Sequence, residues 1–223
     1  MGTVLSVNLG AARPSEAADI GRTGIDKHPV DGPVALRAPG PRDSGLGSGV
    51  VGDEICDRRH HGGDDQAVYA YAREDLDGWQ AELGRQVPGG MFGENLTTAG
   101  LDVNGALIGE RWQVGEQAVL EVSSPRIPCR TFAGQMREQG WIKTFTQRAL
   151  PGAYLRVVVP GEVREGDAVT VLHRPDHDVT VALAFRAMTL EPDLLPRLLA
   201  ADALPEKIKV KARQRAAKQA DQA

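Results

Sequence analysis

Cysteine is almost missing from the 223-residue chain: Cys56 and Cys129 are the only two. That rules out a disulfide framework, and two thiols cannot supply the four thiolates of an all-cysteine iron–sulfur cluster within one chain. Aromatic residues make up only 4%. No apolar run approaches the roughly 20 residues of a membrane-spanning helix. The opening Met-Gly-Thr-Val-Leu-Ser-Val has neither a basic leader nor a long apolar stretch, so no signal peptide is expected. Lys and Arg number 26 against 30 Asp and Glu, a net charge of -4. That balance argues against a protein whose main work is gripping nucleic acid. There is no Gly-rich phosphate loop ending in Lys-Ser/Thr, no GxGxxG after a strand and no Gly-x-Ser-x-Gly elbow, which removes the common kinase, dehydrogenase and hydrolase readings. A cytoplasmic globular protein without a membrane role is expected.

What the chain does have is glycine, 26 of them, and a mixed composition with 41% hydrophobic residues, enough for a real core. Many turns and few aromatics suit a β-rich body. Thr3–Asn8 alternates as a strand, and Pro33–Arg37 and Val50–Ile55 are further short strand candidates. Between the last two, Ala38–Gly49 is rich in Pro, Gly and Ser and is expected to be a flexible loop able to reshape a pocket mouth. Leu76, Trp79 and Leu83 recur at helical spacing before a stop at Gly84. Arg111–Val114 and Ala118–Ser123 flank Gly115-Glu116 as a hairpin. One or two short helices are expected over Thr131–Leu150, burying Trp141, Phe145 and Leu150, and Tyr154–Val159 with Ala168–Leu172 reads as a second hairpin. After Pro175 the chain becomes rich in Ala, Leu and Arg with Pro punctuation. The fold expected is α+β and predominantly β: a β-domain over residues 1–176 with a helical extension over 177–223, whose loss should leave the body folded.

Four polar segments carry the candidate chemistry. In Ser124-Pro125-Arg126-Ile127-Pro128-Cys129-Arg130, two prolines stiffen a turn and two arginines bracket the thiol. Cations favour the thiolate, the form that attacks electrophiles or binds a soft metal, although a small buried cysteine in a loop is the plainer reading. His60-His61-Gly62-Gly63-Asp64-Asp65 combines imidazole, glycine and carboxylate. It could approach a ligand or simply form a hydrogen-bonded turn, and it lacks a zinc spacing. Phe92-Gly93-Glu94-Asn95 offers a carboxamide to a heterocycle edge. Thr23-Gly24-Ile25-Asp26-Lys27 offers a lysine to an anion. The basic run Lys207 to Lys218 reads as a solvated helix face.

Taken together, these segments resemble the MOSC domain, the module named for the C-terminus of molybdenum cofactor sulfurases. The carrying residues are Gly52-Asp53 with Asp57, His61-Gly62-Gly63 with Asp65, Phe92-Gly93-Glu94-Asn95-Leu96, Ser124 to Cys129, and Gly152-Ala153-Tyr154. The helical tail resembles the three-helix extension of a stand-alone bacterial branch associated with resistance to 6-hydroxylaminopurine. The resemblance implies a barrel-like β-domain with a pocket for molybdenum cofactor (molybdopterin). It implies an essential cysteine at Cys129, as catalytic residue and metal contact. Thr23, Lys27, His61, Gly62, Gly63, Asn95, Ser124 and Arg126 would hold the cofactor. It further implies an oxidoreductase that reduces N-hydroxylated compounds to amines for detoxification, fed by a separate electron-transfer reductase. The alternative is a carrier of cofactor or sulfur without turnover of its own. Cys56 departs from the family pattern, which has a small residue there.

Overall fold

The structure is a computed structural model describing residues 1–220; residues 221–223 of the expected extension lie outside the described residues. The strands are β1 (Gly2–Gly10), β2 (Arg13–Pro14), β3 (Arg22–Thr23), β4 (Lys27–Pro29), β5 (Val34–Leu36), β6 (Val68–Ala72), β7 (Leu96–Ala99), β8 (Arg111–Val114), β9 (Ala118–Pro125), β10 (Ala153–Val159), β11 (Gly161–Val163) and β12 (Ala168–His173). The helices are α1 (Arg73–Leu83), α2 (Arg130–Met136), α3 (Trp141–Arg148), α4 (Val181–Thr189) and α5 (Glu206–Ala220), with 3-10 turns at Asp64–Gln66 and Pro192–Ala200. Among the described residues no helix is long and apolar enough to cross a membrane.

Seven strands close a barrel in the order β1-β12-β8-β9-β10-β6-β7 and back to β1, with β4 added outside β1. All pairs are antiparallel except β6 with β7. The interior is aliphatic: Val4, Val68, Leu96, Leu120, Val122 and Leu155 are buried, and Trp112 is the single aromatic among them. Each such side chain contributes roughly 1.5–3 kcal/mol by leaving water.

Strand β6 shows how the sequence divides the core. Its residues are buried on both faces, with Val68, Ala70 and Ala72 in the barrel and Tyr69 and Tyr71 in a second cluster outside it. That outer cluster gathers Trp79, Phe92, Phe132, Trp141, Phe145 and Phe185, with Tyr154 packed against it, so the scarce aromatics sit between β6 and the helices. The ring tips are satisfied where they are polar. Tyr69 Oη donates to Pro151 O at 2.7 Å, Tyr71 Oη to Leu150 O at 2.6 Å, and Trp79 Nε1 to Tyr71 Oη at 2.9 Å.

Helix α1 ends at Gly84 in the left-handed conformation, the β8–β9 hairpin forms, and α2 and α3 occupy the Thr131–Leu150 region with Trp141 and Phe145 buried and Leu150 partly so. Four expectations are corrected. Val50–Ile55 is not a strand: Val50 makes one isolated bridge to Leu36, and Gly52 turns the chain at φ 88° so that Asp53 points inward. Tyr154–Val159 and Ala168–Leu172 do not pair. β10 lies between β6 and β9, whereas β12 joins β8 to β1, because closing the barrel needs β12 at that seam. The 38–49 segment is tied down: Gly49 N–H donates to Ala67 O, Gly40 N–H to Asp64 Oδ1 and Gly63 N–H to Gly47 O. In the tail, Pro192 and Pro196 convert the middle helix to a 3-10 turn. The tail also shares the core, since Ala184, Leu198, Ala201 and Ile208 join the barrel cluster and Phe185 the aromatic one.

Candidate functional site

Strand β9 runs out through Ser124 and Pro125, and the extended Arg126-Ile127-Pro128 delivers Cys129 to the N-cap of α2 with φ -133° and ψ 171°. The thiol opens onto a cavity of about 410 Å³, within the range of small-molecule sites. Thr23, Lys27, His61, Asn95, Arg126 and Cys129, from all four of the polar segments, line it.

Burial opposes ionisation of Cys129. A hydrogen bond from His61, the Arg126 guanidinium and the Phe132 amide outweigh that cost and bring the thiol down from 9.0 to about 6. Arg126 is 5% exposed. It donates to Phe92 O, and its guanidinium stacks 3.7 Å from the Phe132 ring centroid and 5.2 Å from that of Tyr69. Among the described residues no carboxylate pairs with it. A buried cation without a counter-charge is costly, and its neighbours in the field are Tyr69, Tyr154 and Cys129. The arrangement favours an anion next to Arg126, supplied by the thiolate or by a ligand.

Lys27 is differently placed. Its ammonium is buried against Asp53, whose Oδ1 also accepts from Gly10 N–H at 2.9 Å and whose Oδ2 accepts from Ser48 Oγ at 2.8 Å. Lys27 therefore lines the pocket as half of a neutral pair. Asn95 is a clamp as well as a wall: its Oδ1 accepts from Tyr69 N–H at 3.1 Å and its Nδ2 donates to Asn8 O at 3.3 Å, tying β6 to β1. One lone pair and one proton of the amide remain for a ligand. Thr23 Oγ1 accepts from Ile25 N–H at 3.1 Å.

Gly62, Gly63 and Ser124, expected beside the cofactor, do not line the cavity. Gly63 has φ 76°, and a Cβ there would stand 2.7 Å from Arg42 N; one on Gly62 would stand 2.7 Å from Gly47 O. These glycines let the 38–49 segment buttress the turn that carries His61. No residue of that segment reaches the pocket mouth. Ser124 is buried in β9 opposite Tyr154.

Sequence reasoning passed over Asp53, Tyr154, Arg22 and Cys56 as pocket residues, yet all four line it. The Gly52-Asp53 turn was a usable signal for the first. Tyr154 sits in a strand with an alternating pattern and reads as core. Burial pushes the Cys56 thiol up, opposite to Cys129.

Comparison with known proteins agrees with this geometry. A family model described as the MOSC domain matches residues 57–170. The chain is 34% identical over 187 residues to the uncharacterized protein YflK of Bacillus subtilis, covering 82% of this chain and 79% of YflK. It is 29% identical over 177 residues to a protein of Gibberella moniliformis named a reductase, covering 78% of this chain and 30% of that longer one. The crystal structure of YiiM from Geobacillus stearothermophilus superposes with a TM-score of 0.77 at 26% identity, over 96% of this chain and 99% of YiiM. By the matched segment, the relatives and the closed barrel alike, the chain belongs to the MOSC domain family.

Proposed function

We propose that this protein holds molybdenum cofactor in the Cys129 pocket and reduces N-hydroxylated compounds, such as N-hydroxylated purines, to amines. The carrying observation is a thiol lowered to about 6 beside a buried arginine that, among the described residues, pairs with no carboxylate. The cofactor would supply two-electron chemistry at a soft metal.

The residues suit that group. Among the described residues no three His, Cys, Asp or Glu side chains gather to hold a metal by themselves. Cys129 thus offers one thiolate to a metal that brings its other ligands with it. Arg126 offers fixed positive charge to the anionic part of the ligand, with Arg22 at the rim. Asn95 keeps one donor and one acceptor for a pterin edge, and Tyr69 and Tyr154 present a ring wall. His61 holds Cys129 as the thiolate.

In the overall reaction the N–O bond breaks, two electrons and two protons enter, and an amine and water leave. The electrons come from a separate reductase, in keeping with a chain whose two cysteines cannot hold a four-thiolate iron–sulfur cluster. The reductase name of the Gibberella relative supports this reading. So does the family, whose domain is associated with molybdenum cofactor. The place of work is the cytoplasm and the role is detoxification.

The test is molybdenum and pterin content of protein purified anaerobically from a cofactor-producing host. Near-stoichiometric metal and pterin are expected, with both lost in Cys129→Ser. Wild-type protein free of both after incubation with cofactor would overturn the reading. Turnover of an N-hydroxylated purine with an artificial reductant then separates an enzyme from a carrier, which would instead deliver its cofactor to an apo-enzyme without turnover.

A further inference from the structure

Positive charge is unevenly placed in this chain. Helix α5 carries six basic side chains and one acidic, within a chain whose net charge is -4. Three of the six serve the fold: Lys209 and Arg213 pair with Glu206, and Arg215 pairs with Asp193. Lys207 and Lys211 do not. Both are exposed, and among the described residues neither pairs with a carboxylate. Their spacing puts them on one face of the helix, which Lys218 shares.

Local physics opposes that arrangement. Lys207 stands in the first turn of α5, the positive end of the helix dipole, where a cation is disfavoured. Lys211 lies four residues on, a like-charge spacing that works against the helix. Arg42, from the 38–49 segment, is a third cation at the same place: desolvation and then Arg42 push the Lys207 ammonium down, and Lys211 adds to them. The carboxylate that opposes them is Asp65, whose Oδ1 already accepts from Arg156 at 2.9 and 2.7 Å. Arg42 Nε is buried with no acceptor among the described residues. Like charges kept together against the interest of their own helix call for a counter-charge from outside the chain.

Arg42 also ties the patch to the site. Its backbone lies against Gly63 beside the His61 turn, and its charge is felt at Tyr154 in the pocket wall. A body seated on Arg42, Lys207 and Lys211 therefore stands next to the Cys129 pocket. Helix α5 has no aromatic side chain on which a base could stack. Of its large apolar side chains only Val210 is exposed, too little to insert into a bilayer. These features favour a folded acidic protein over a nucleic acid or a membrane.

We propose that Arg42, Lys207 and Lys211 form the docking surface for the electron donor, a protein with acidic side chains around its redox group. The donor gives up there the two electrons that each N–O cleavage consumes. The proposal deepens the reductase reading and rests on it for what the partner carries. Docking itself needs neither metal nor cofactor.

The test is calorimetric titration of the full chain with a plant-type ferredoxin, an acidic electron-transfer protein. Binding is expected at low ionic strength and should weaken at least about tenfold between roughly 20 and 200 mM salt. Lys207→Glu/Lys211→Glu should weaken the low-salt binding at least about tenfold. Its Tm should stay at or above wild type, because glutamate suits the first turn of a helix. Lys143→Glu/Arg164→Glu makes the same change of net charge on α3 and on the turn before β12, and should cost less than about threefold. No binding at low salt, equal losses in the two double variants, or tighter binding of a DNA duplex or a phosphatidylserine vesicle would overturn the proposal. Lysine-dependent docking on a protein that takes up no molybdenum would strike the reductase reading and leave the surface standing. Cofactor-loaded Lys207→Glu/Lys211→Glu that accepts electrons from ferredoxin as fast as wild type would strike the surface and leave the reading.

Discussion

His61 is the group whose removal tests the electrostatics of the pocket most directly. It is partly exposed, so His61→Ala opens no core, and its hydrogen bond heads the influences that lower the Cys129 thiol to about 6 against burial. At pH 6.5 a thiol of that kind is about three-quarters thiolate. If the loss of His61 moves the inflection up by about one pH unit, the thiolate falls to about one-quarter. Alkylation by iodoacetamide, which consumes only the thiolate, should then slow about threefold at pH 6.5 and match wild type above pH 9. Cys56, raised by burial, is an internal control that labels slowly throughout. The same titration fixes the sign for stability. Because the folded thiol ionises below its usual 9.0, its contribution is complete above that pH and is lost as pH falls through about 6. A wild-type profile inflecting near 9, or one unchanged by His61→Ala, would refute the account.

Three further outcomes are expected. Lys27→Met leaves the Asp53 carboxylate buried with only Gly10 N–H and Ser48 Oγ, and urea unfolding should show a loss of about 3–5 kcal/mol; a loss under about 1 kcal/mol would mean that the pair is hydrated. Truncation after Asp176 removes Leu183, Phe185, Leu198 and Ile208 from the core, worth roughly 6–12 kcal/mol. That is comparable to a whole domain's stability, so calorimetry should find no cooperative transition, and a sharp one would show that the barrel stands alone. Gly63→Ala puts a Cβ against Arg42 at a left-handed position; it should displace the His61 turn and raise the Cys129 inflection without removing any pocket side chain, as alkylation profiles would show.

The sequence made some of this legible and hid the rest for physical reasons. Helix α1 and the β8–β9 hairpin announce themselves because their stops, Gly84 and Gly115-Glu116, are local. The partners of β10 and β12 are not local: alternation tells which face of a strand is buried and nothing about which edge it joins. In the pocket, Cys129 and Arg126 were readable because prolines and charge surround them within a few residues. The role of Gly62-Gly63 was not legible, since glycine permits close approach to any backbone, and here the chain's own 40–47 segment makes one such approach. The neutralisation of Lys27 by Asp53 joins residues 26 positions apart and has no sequence periodicity.

The seam of the barrel sets a clock for biosynthesis. Gly2 and Thr3 of the first strand find their partners at Val169 and Ala168 of the last. A ribosome adding roughly 5–20 residues per second leaves that first edge without one of its neighbours for roughly 8–35 s. During that interval β1 and the unfinished sheet present open hydrogen-bonding edges, the feature that nascent-chain aggregation exploits. Folding yield in this protein should therefore respond to translation speed and to chaperones that shield sheet edges, more than to any single contact in the finished core.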